Sequence, residues 1–288
     1  MHSENLKGIL FMVFSMGLFA IEDAFIKMAS RSVPVGEILV FMGLGGVVFF
    51  TVLLLYTREP LFPREARTLP IYARMASEIV GRVSYSLALA FGSLAVVSAV
   101  LQATPLAVTL GAAVLFGEKV GIRRWSAILA GFIGVLVILR PGLDGFEPVA
   151  LLSLVGLLGL AVRDLTTRAA PKTLSNRQLG LYGFVALIPS GFVMLAITGG
   201  WQNPLDEAWP YLLGISVFGI GAYYLITAAM RVGEVSVVTP FRYSRIVFAV
   251  IISVTIFNEQ IDSLMLLGIA LVIASGLYTM WRENIRRR

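Results

Sequence analysis

Apolar residues run along this chain in long blocks, and the charged residues collect mostly in the short stretches between them. Ten blocks approach or exceed the roughly 20 residues that an α-helix needs to cross a hydrocarbon core of about 30 Å. They are Leu6–Lys27, Val35–Thr57, Leu69–Gly92, Ala95–Phe116, Ile122–Leu139, Val149–Ala169, Gln178–Thr198, Trp209–Met230, Val235–Phe257 and Ser263–Trp281. Each predicts a membrane span. The connections between them are too short for a soluble domain, so residues 1–288 read as one membrane domain. The first block holds Glu22 and Asp23 and is followed by no small-x-small site, so it reads as a span and not as a cleavable signal.

The pattern repeats. A constant shift of 141 residues, the separation of Glu118 and Glu259, lays Ala229 on Ala88, Gly233 on Gly92, Val237 on Val96, Val238 on Val97 and Thr239 on Ser98. Upstream, the same shift lays Asp164 on Asp23, Arg168 on Lys27 and Ala170 on Ala29. One ungapped offset at both ends of two half-chains marks a tandem duplication, with repeats over 6–140 and 147–282. Each copy holds five spans, and an odd number makes the second copy enter the membrane from the side opposite the first. The expected fold is all-α and integral to the membrane: ten transmembrane helices in two inverted five-helix repeats around a central cavity. Inverted repeats are a recurring basis for alternating access. A plain enlarged bundle is the competing reading.

Composition narrows the function. A hydrophobic content of 58% with 14% charged residues does not suit a soluble chain. The net charge of +6 sits in short loops, which points to cytoplasmic membrane loops and away from nucleic acid. With the N-terminus inside, the inner segments hold Lys7, Arg58, Arg64, Arg67, Lys119, Arg123, Arg124, Lys172, Arg177, Arg231 and the arginine-rich tail. The outer loops hold only Arg31 and Arg140, so both termini are expected in the cytoplasm. Trp125, Trp201, Trp209 and Trp281 fall at span ends, where indoles favour the interface. There is no cysteine, and the single His2 lies in a terminus expected to be disordered. Thiol and histidine chemistry are thereby excluded, no metal site or cofactor is implied, and an enzyme is not expected.

Charges inside the spans carry the candidate chemistry, because an intramembrane charge is costly and faces a partner or a wet cavity. Arg74, Glu78, Arg82 and Tyr85 are spaced to share one face of the third span. Glu78 and Arg82 can neutralise each other; a salt bridge that merely holds helices together is the alternative. The ninth span carries Arg242, Tyr243 and Arg245, and its counterpart, the fourth, carries Gln102 and Thr104 at the positions of Tyr243 and Arg245. Pro240 and Pro105 remove a backbone donor in these two spans and are expected to break them where they line the cavity, or to form passive kinks. A third group, Glu22–Asp23–Lys27 with its copy Arg163–Asp164–Arg168, falls near opposite ends of the first and sixth spans. Asp23, Lys27, Arg163, Asp164 and Arg168 read as gating ion pairs, with end-capping and snorkelling as the alternative. Glu118 and Glu259 read as structural markers at span ends.

The turn-and-helix repeat Gly92-Ser-Leu-Ala-Val-Val-Ser98 and Gly233-Glu-Val-Ser-Val-Val-Thr239, closed by Phe116-Gly-Glu118 and Phe257-Asn-Glu259, resembles the EamA repeat of the drug/metabolite transporter superfamily. The resemblance covers essentially the whole chain. The run Val238-Thr-Pro-Phe-Arg-Tyr-Ser244 is further similar to amino-acid and metabolite exporters of that branch, those of the YddG aromatic amino acid type foremost. It implies a bacterial inner-membrane exporter with a lipid bilayer and a small-molecule substrate as its partners, working as a monomer.

Glu78 beside Arg82, with Arg242 and Arg245, can meet both ends of a zwitterion. Tyr85, Tyr223, Tyr224, Phe241 and Tyr243 offer surface to an apolar side chain or an ammonium. The expected substrate site is therefore Glu78, Arg82, Tyr85, Gln102, Tyr223, Tyr224, Arg242, Tyr243 and Arg245, and the expected substrates are amino acids, large apolar ones included. Other small polar metabolites or drugs remain open, as does a non-transporting bundle.

Overall fold

A chain crossing hydrocarbon must satisfy its backbone internally, and the long apolar blocks do so as helices. The computed structural model describes residues 2–117, 121–141, 147–198, 200–202, 207–232 and 235–287, and no strand occurs among them. The first half contains α1 His2–Ala29, α2 Val35–Tyr56, α3 Leu69–Phe91, α4 Leu94–Leu101, α5 Thr104–Leu115 and α6 Ile122–Leu139. The second contains α7 Leu151–Ala169, α8 Asn176–Thr198, α9 Trp209–Val232, α10 Val235–Val238, α11 Ser244–Phe257 and α12 Ser263–Arg287.

Eight segments are long and apolar enough to cross a membrane, α4–α5 and Thr239–Phe257 each counting as one. α3 has the length of a span at 23 residues but carries Arg74, Glu78 and Arg82, and α6 supplies the shorter apolar helix Trp125–Leu139. The protein is thus a multi-pass membrane protein of two inverted five-span halves. Side chains such as Phe14, Val48, Leu55, Leu129 and Ile197 stand exposed on the bundle, an apolar exterior that suits lipid. The four tryptophans are also partly exposed. Two boundaries differ from expectation. α1 begins at His2, so that terminus is helical backbone and not disordered, and α12 continues beyond Trp281 to Arg287.

Each long helix packs along one from the other half. α1 lies on α9 and α3 on α7, pairs that exchange under the 141-residue shift; α2 lies on α8 and α6 on α12, pairs that map onto themselves. Small residues permit the close approach that membrane helices use. A Cβ added to Gly36 would stand 2.7 Å from the Gly191 carbonyl oxygen, and one on Gly191 would stand 2.6 Å from that of Gly36. α6 and α12 meet in the same way through Gly134 and Gly268.

The ends of α5 and α11 repeat one device. Gly117 (φ 64°) and Asn258 (φ 53°) are left-handed, and both residue types enter that region more readily than others. The chain then turns back, and the Glu259 N–H donates to the Ser253 carbonyl at 3.1 Å. Glu118, the equivalent of Glu259, lies outside the described residues.

Candidate substrate site

α3 presents its charged face to the middle of the bundle. Arg74, Glu78 and Tyr85 are buried along it. A Cβ on Gly159 of α7 would stand 2.6 Å from the Gly81 Cα, so α7 lies directly on α3. Arg163, one turn beyond Gly159, is thereby brought to 3.6 Å from Glu78. Glu78 also lies 3.5 Å from Arg82. Arg74 donates from Nε to the Thr167 hydroxyl at 2.9 Å, while its Nη1 has no hydrogen-bond partner. Arg163 folds back on its neighbour Asp164, with Nη2–Oδ1 at 2.7 Å.

A second cluster joins α1, α3 and α11. Arg245 forks onto Asp23, donating from Nη2 to Oδ2 at 2.7 Å and from Nε to the same oxygen at 3.2 Å; Nη2 also lies 2.9 Å from Oδ1 and 3.0 Å from the Tyr85 hydroxyl. Its guanidinium sits over the Phe19 ring at 5.1 Å. Asp164, the counterpart of Asp23, is held by Arg163 and does not take part in this pair. Arg82 connects the two clusters, lying 3.6 Å from Glu22 while it meets Glu78. A single polar relay therefore runs from Asp164 through Arg163, Glu78 and Arg82 to Glu22, beside the Asp23–Arg245–Tyr85 triad.

The broken spans frame this relay. The fourth span parts between Leu101 and Thr104, with Pro105 in the first turn of α5. The ninth passes from α10 through a 3-10 turn, Thr239–Tyr243, in which Pro240 is near the start. The two breaks touch: Gln102 donates from Nε2 to the Arg242 carbonyl at 3.1 Å. Arg242 has no carboxylate within ion-pair distance among the described residues, and Asp164 is the acid within electrostatic reach of it. Arg74, Arg82, Arg163, Arg242 and Arg245 face Glu22, Asp23, Glu78 and Asp164. Five guanidinium groups against four carboxyl groups leave an excess of positive charge.

The aromatic candidates are dispersed. Tyr85 belongs to the triad, whereas Tyr223 packs edge-on against Phe50 with centroids 5.2 Å apart while staying in electrostatic reach of Arg74, Glu78, Arg163 and Asp164. Tyr224 and Phe241 are exposed. Tyr243 is buried with its hydroxyl turned to Gly276 of α12. The structure thus brings Glu78, Arg82, Tyr85 and Arg245 into one network, with Gln102 and Arg242 at the adjoining breaks. It does not gather the tyrosines into one surface.

Lys27 stands apart, at the end of the bundle where α1 finishes. Its Nζ donates to Glu259 at 2.5 Å and to the Gly92 carbonyl at 2.6 Å, and lies over the Phe257 ring at 5.0 Å. Glu259 also accepts from Leu94 N at 2.8 Å, Ala95 N at 3.1 Å, the Ser93 hydroxyl at 2.6 Å and the Ser253 hydroxyl. It thereby caps α4, a helix of the other half, at the terminus where the dipole favours negative charge. Burial by itself would raise the Glu259 carboxyl; Lys27, the two hydroxyls and the Leu94 N–H more than offset this and hold it below the ordinary carboxylate value. At the opposite end Arg168, the counterpart of Lys27, lies over Phe116, the counterpart of Phe257, at 5.2 Å. Sequence reading treated Glu259 as a boundary marker and missed this role. The signal was present in the shift itself, which preserves a cation–glutamate pairing of positions at both ends.

The sequence profile of the EamA-like transporter family matches residues 6–140 and 148–281. A riboflavin transporter of Vibrio cholerae is 29% identical over 66% of this chain and 64% of its own length, so the match spans a little under two thirds of that relative. An S-adenosylmethionine uptake transporter of Rickettsia prowazekii is 21% identical over 97% of this chain and 94% of its own. A pseudopaline exporter of Pseudomonas aeruginosa is 25% identical over 93% and 94%. A solved crystal structure shares the fold over 99% of both chains, with a TM-score of 0.66 at 16% identity. These relatives are carriers of small metabolites, and their names do not single out aromatic amino acids. With both halves matched, the chain belongs to the EamA-like transporter family.

Proposed function

We propose that this membrane transporter exports amino acids, aromatic and large apolar ones included, across a bacterial inner membrane by alternating access, as a monomer with both termini in the cytoplasm. The observation that carries the reading is Arg242. It has no carboxylate within ion-pair distance among the described residues and, unlike Arg74, whose Nε is taken by Thr167, it stands at the meeting of two helix breaks, with Asp164 in electrostatic reach. An α-carboxylate fits the arginine fork through two parallel hydrogen bonds, and an ammonium fits Asp164. Arg245, the other candidate, already has its fork filled by Asp23. S-adenosylmethionine, named for one relative, carries the same α-amino-acid head.

The test is competition by phenylalanine and by its amide against labelled phenylalanine in liposomes holding the purified protein. A hydrogen bond to a charged group is worth about 1.5–3 kcal/mol, so the free acid should be preferred at least about tenfold. Arg242→Gln should erase that preference. A mutant that still prefers the acid by the wild-type margin removes Arg242 from recognition. A second reading follows the riboflavin transporters among the relatives. Riboflavin has no carboxylate, so its transport would survive Arg242→Gln.

A further inference from the structure

Glu22 is buried to 1% exposure inside a membrane-spanning helix, and its surroundings differ sharply from those of Asp23 beside it. Asp23 receives a full arginine fork. Glu22 receives none: its Oε2 has no hydrogen-bond partner, and its Oε1 lies 3.6 Å from Arg82 Nη1, beyond hydrogen-bond length. A buried ionised carboxylate requires hydrogen bonds as well as a counter-charge, whereas a protonated one loses far less by their absence.

The groups facing Glu22 are few. α3 supplies Arg82 and Tyr85, α11 supplies Arg245, and α1 itself supplies Asp23. Arg245 is committed to Asp23. Arg82 is divided between Glu22 and Glu78, and Glu78 has Arg163 as well. From α9 comes the backbone of Gly219. A Cβ on Gly219 would stand 2.7 Å from Glu22 Oε1 and 2.9 Å from its Cδ, so the glycine lets α9 close directly over the carboxyl.

We infer that Glu22 is the binding site of a coupling proton: an orphaned carboxyl, sealed by Gly219 and sharing Arg82 with Glu78, that exchanges one proton with solvent during each transport cycle. With the proton bound, Arg82 belongs to Glu78. With the proton released to water on one side of the membrane, the carboxylate draws Arg82 across and couples the α1–α9 pair to α3. The proton enters from solvent and returns to solvent, with no bond made elsewhere.

This rests on the transport reading above, and the first measurement is chosen to stand without a known substrate. Infrared titration of the purified full chain should show a protonated-carboxyl carbonyl band that disappears in Glu22→Gln. The band should persist, displaced, in Glu22→Asp, which keeps the experiment decisive if the glutamine variant folds poorly. A band unchanged in Glu22→Gln overturns the proposal. The second measurement is phenylalanine accumulation driven by a pH gradient in proteoliposomes. Wild type should respond to the gradient; Glu22→Gln should lose the response when accumulation is expressed relative to that protein's own phenylalanine counterflow. A gradient response that survives in Glu22→Gln overturns the coupling role, as does its absence from a wild type that shows counterflow. If wild type moves no phenylalanine but the band behaves as expected, the amino-acid reading falls and the proton site stands.

Discussion

The two ends of the bundle, related by the internal repeat, are packed differently. At the Lys27 end, α1 reaches α3 and α4 reaches α11, and Glu259 ties Lys27 to the first turn of α4. The equivalent pairs at the Arg168 end, α7 with α9 and α5 with α10, pack far less among the described residues. The Lys27 end is thus latched through Glu259, while among the described residues the helices of the Arg168 end pack more loosely. Arg242 and Asp164 belong to the looser side. An inverted repeat needs this asymmetry to alternate, since exchanging the states of the halves would open the latched end and close the other.

The largest effect should come from the buried pair beneath the latch. Asp23 is fully buried and Arg245 nearly so, and breaking such a pair leaves an uncompensated charge at a cost of about 3–5 kcal/mol. Asp23→Asn and Arg245→Gln should each lower the unfolding temperature in detergent strongly, and the double variant should recover part of the loss. Additive losses would show that the two do not act as a pair.

The latch itself should come next. Glu259→Gln removes the charge shared by Lys27, α4 and two serines, a loss of about 1.5–3 kcal/mol. The chain has no cysteine of its own. A cysteine in place of Met265, which lines the roughly 310 Å³ pocket beside Glu259, should therefore label several-fold faster in the Glu259→Gln background. Equal rates would dissolve the contrast between the ends. The pH dependence has a definite sign. Because the folded carboxyl lies below its ordinary value of 4.5, the latch contributes fully above that value and is lost as pH falls through the lower folded one. Labelling of Met265→Cys, taken at each pH relative to an exposed reference cysteine so that the thiolate fraction cancels, should thus be flat from neutral pH to about 5 and rise only in stronger acid.

The smallest effect should come from the left-handed position before Glu259. Asn258→Gly restores the residue type that Gly117 has at the other end and should be near neutral. Asn258→Val should cost about 1–2 kcal/mol, read as a fall in unfolding temperature, and should speed Met265→Cys labelling less than Glu259→Gln does. Equal cost for both Asn258 variants would mean that the turn does not set the position of Glu259.

Much of this was legible along the chain. Lipid leaves the backbone few choices, so apolar length alone reported the spans, and an ungapped shift of 141 residues reported the duplication and its inversion. The α3 face was legible because helical periodicity puts Arg74, Glu78, Arg82 and Tyr85 in line. The dispersal of Tyr223, Tyr224 and Tyr243 was not, since adjacent helical residues diverge by about 100° and their bearing depends on how each helix is rotated in the bundle.

Partner choice was beyond the sequence for the same reason. Five arginines and four acids permit many pairings, and only the packing of α1, α3, α7 and α11 assigned Asp23 to Arg245 and Asp164 to Arg163. It also left Glu22 Oε2 without a partner. Sequence by itself determined how many times this protein crosses the membrane, that it does so in two inverted copies, and which residue types pay the cost of charge inside. Tertiary structure alone decided which of those charges neutralise one another and which helices meet at each end. Both depend on distances of a few ångströms between helices far apart in the chain, and no periodicity encodes such distances.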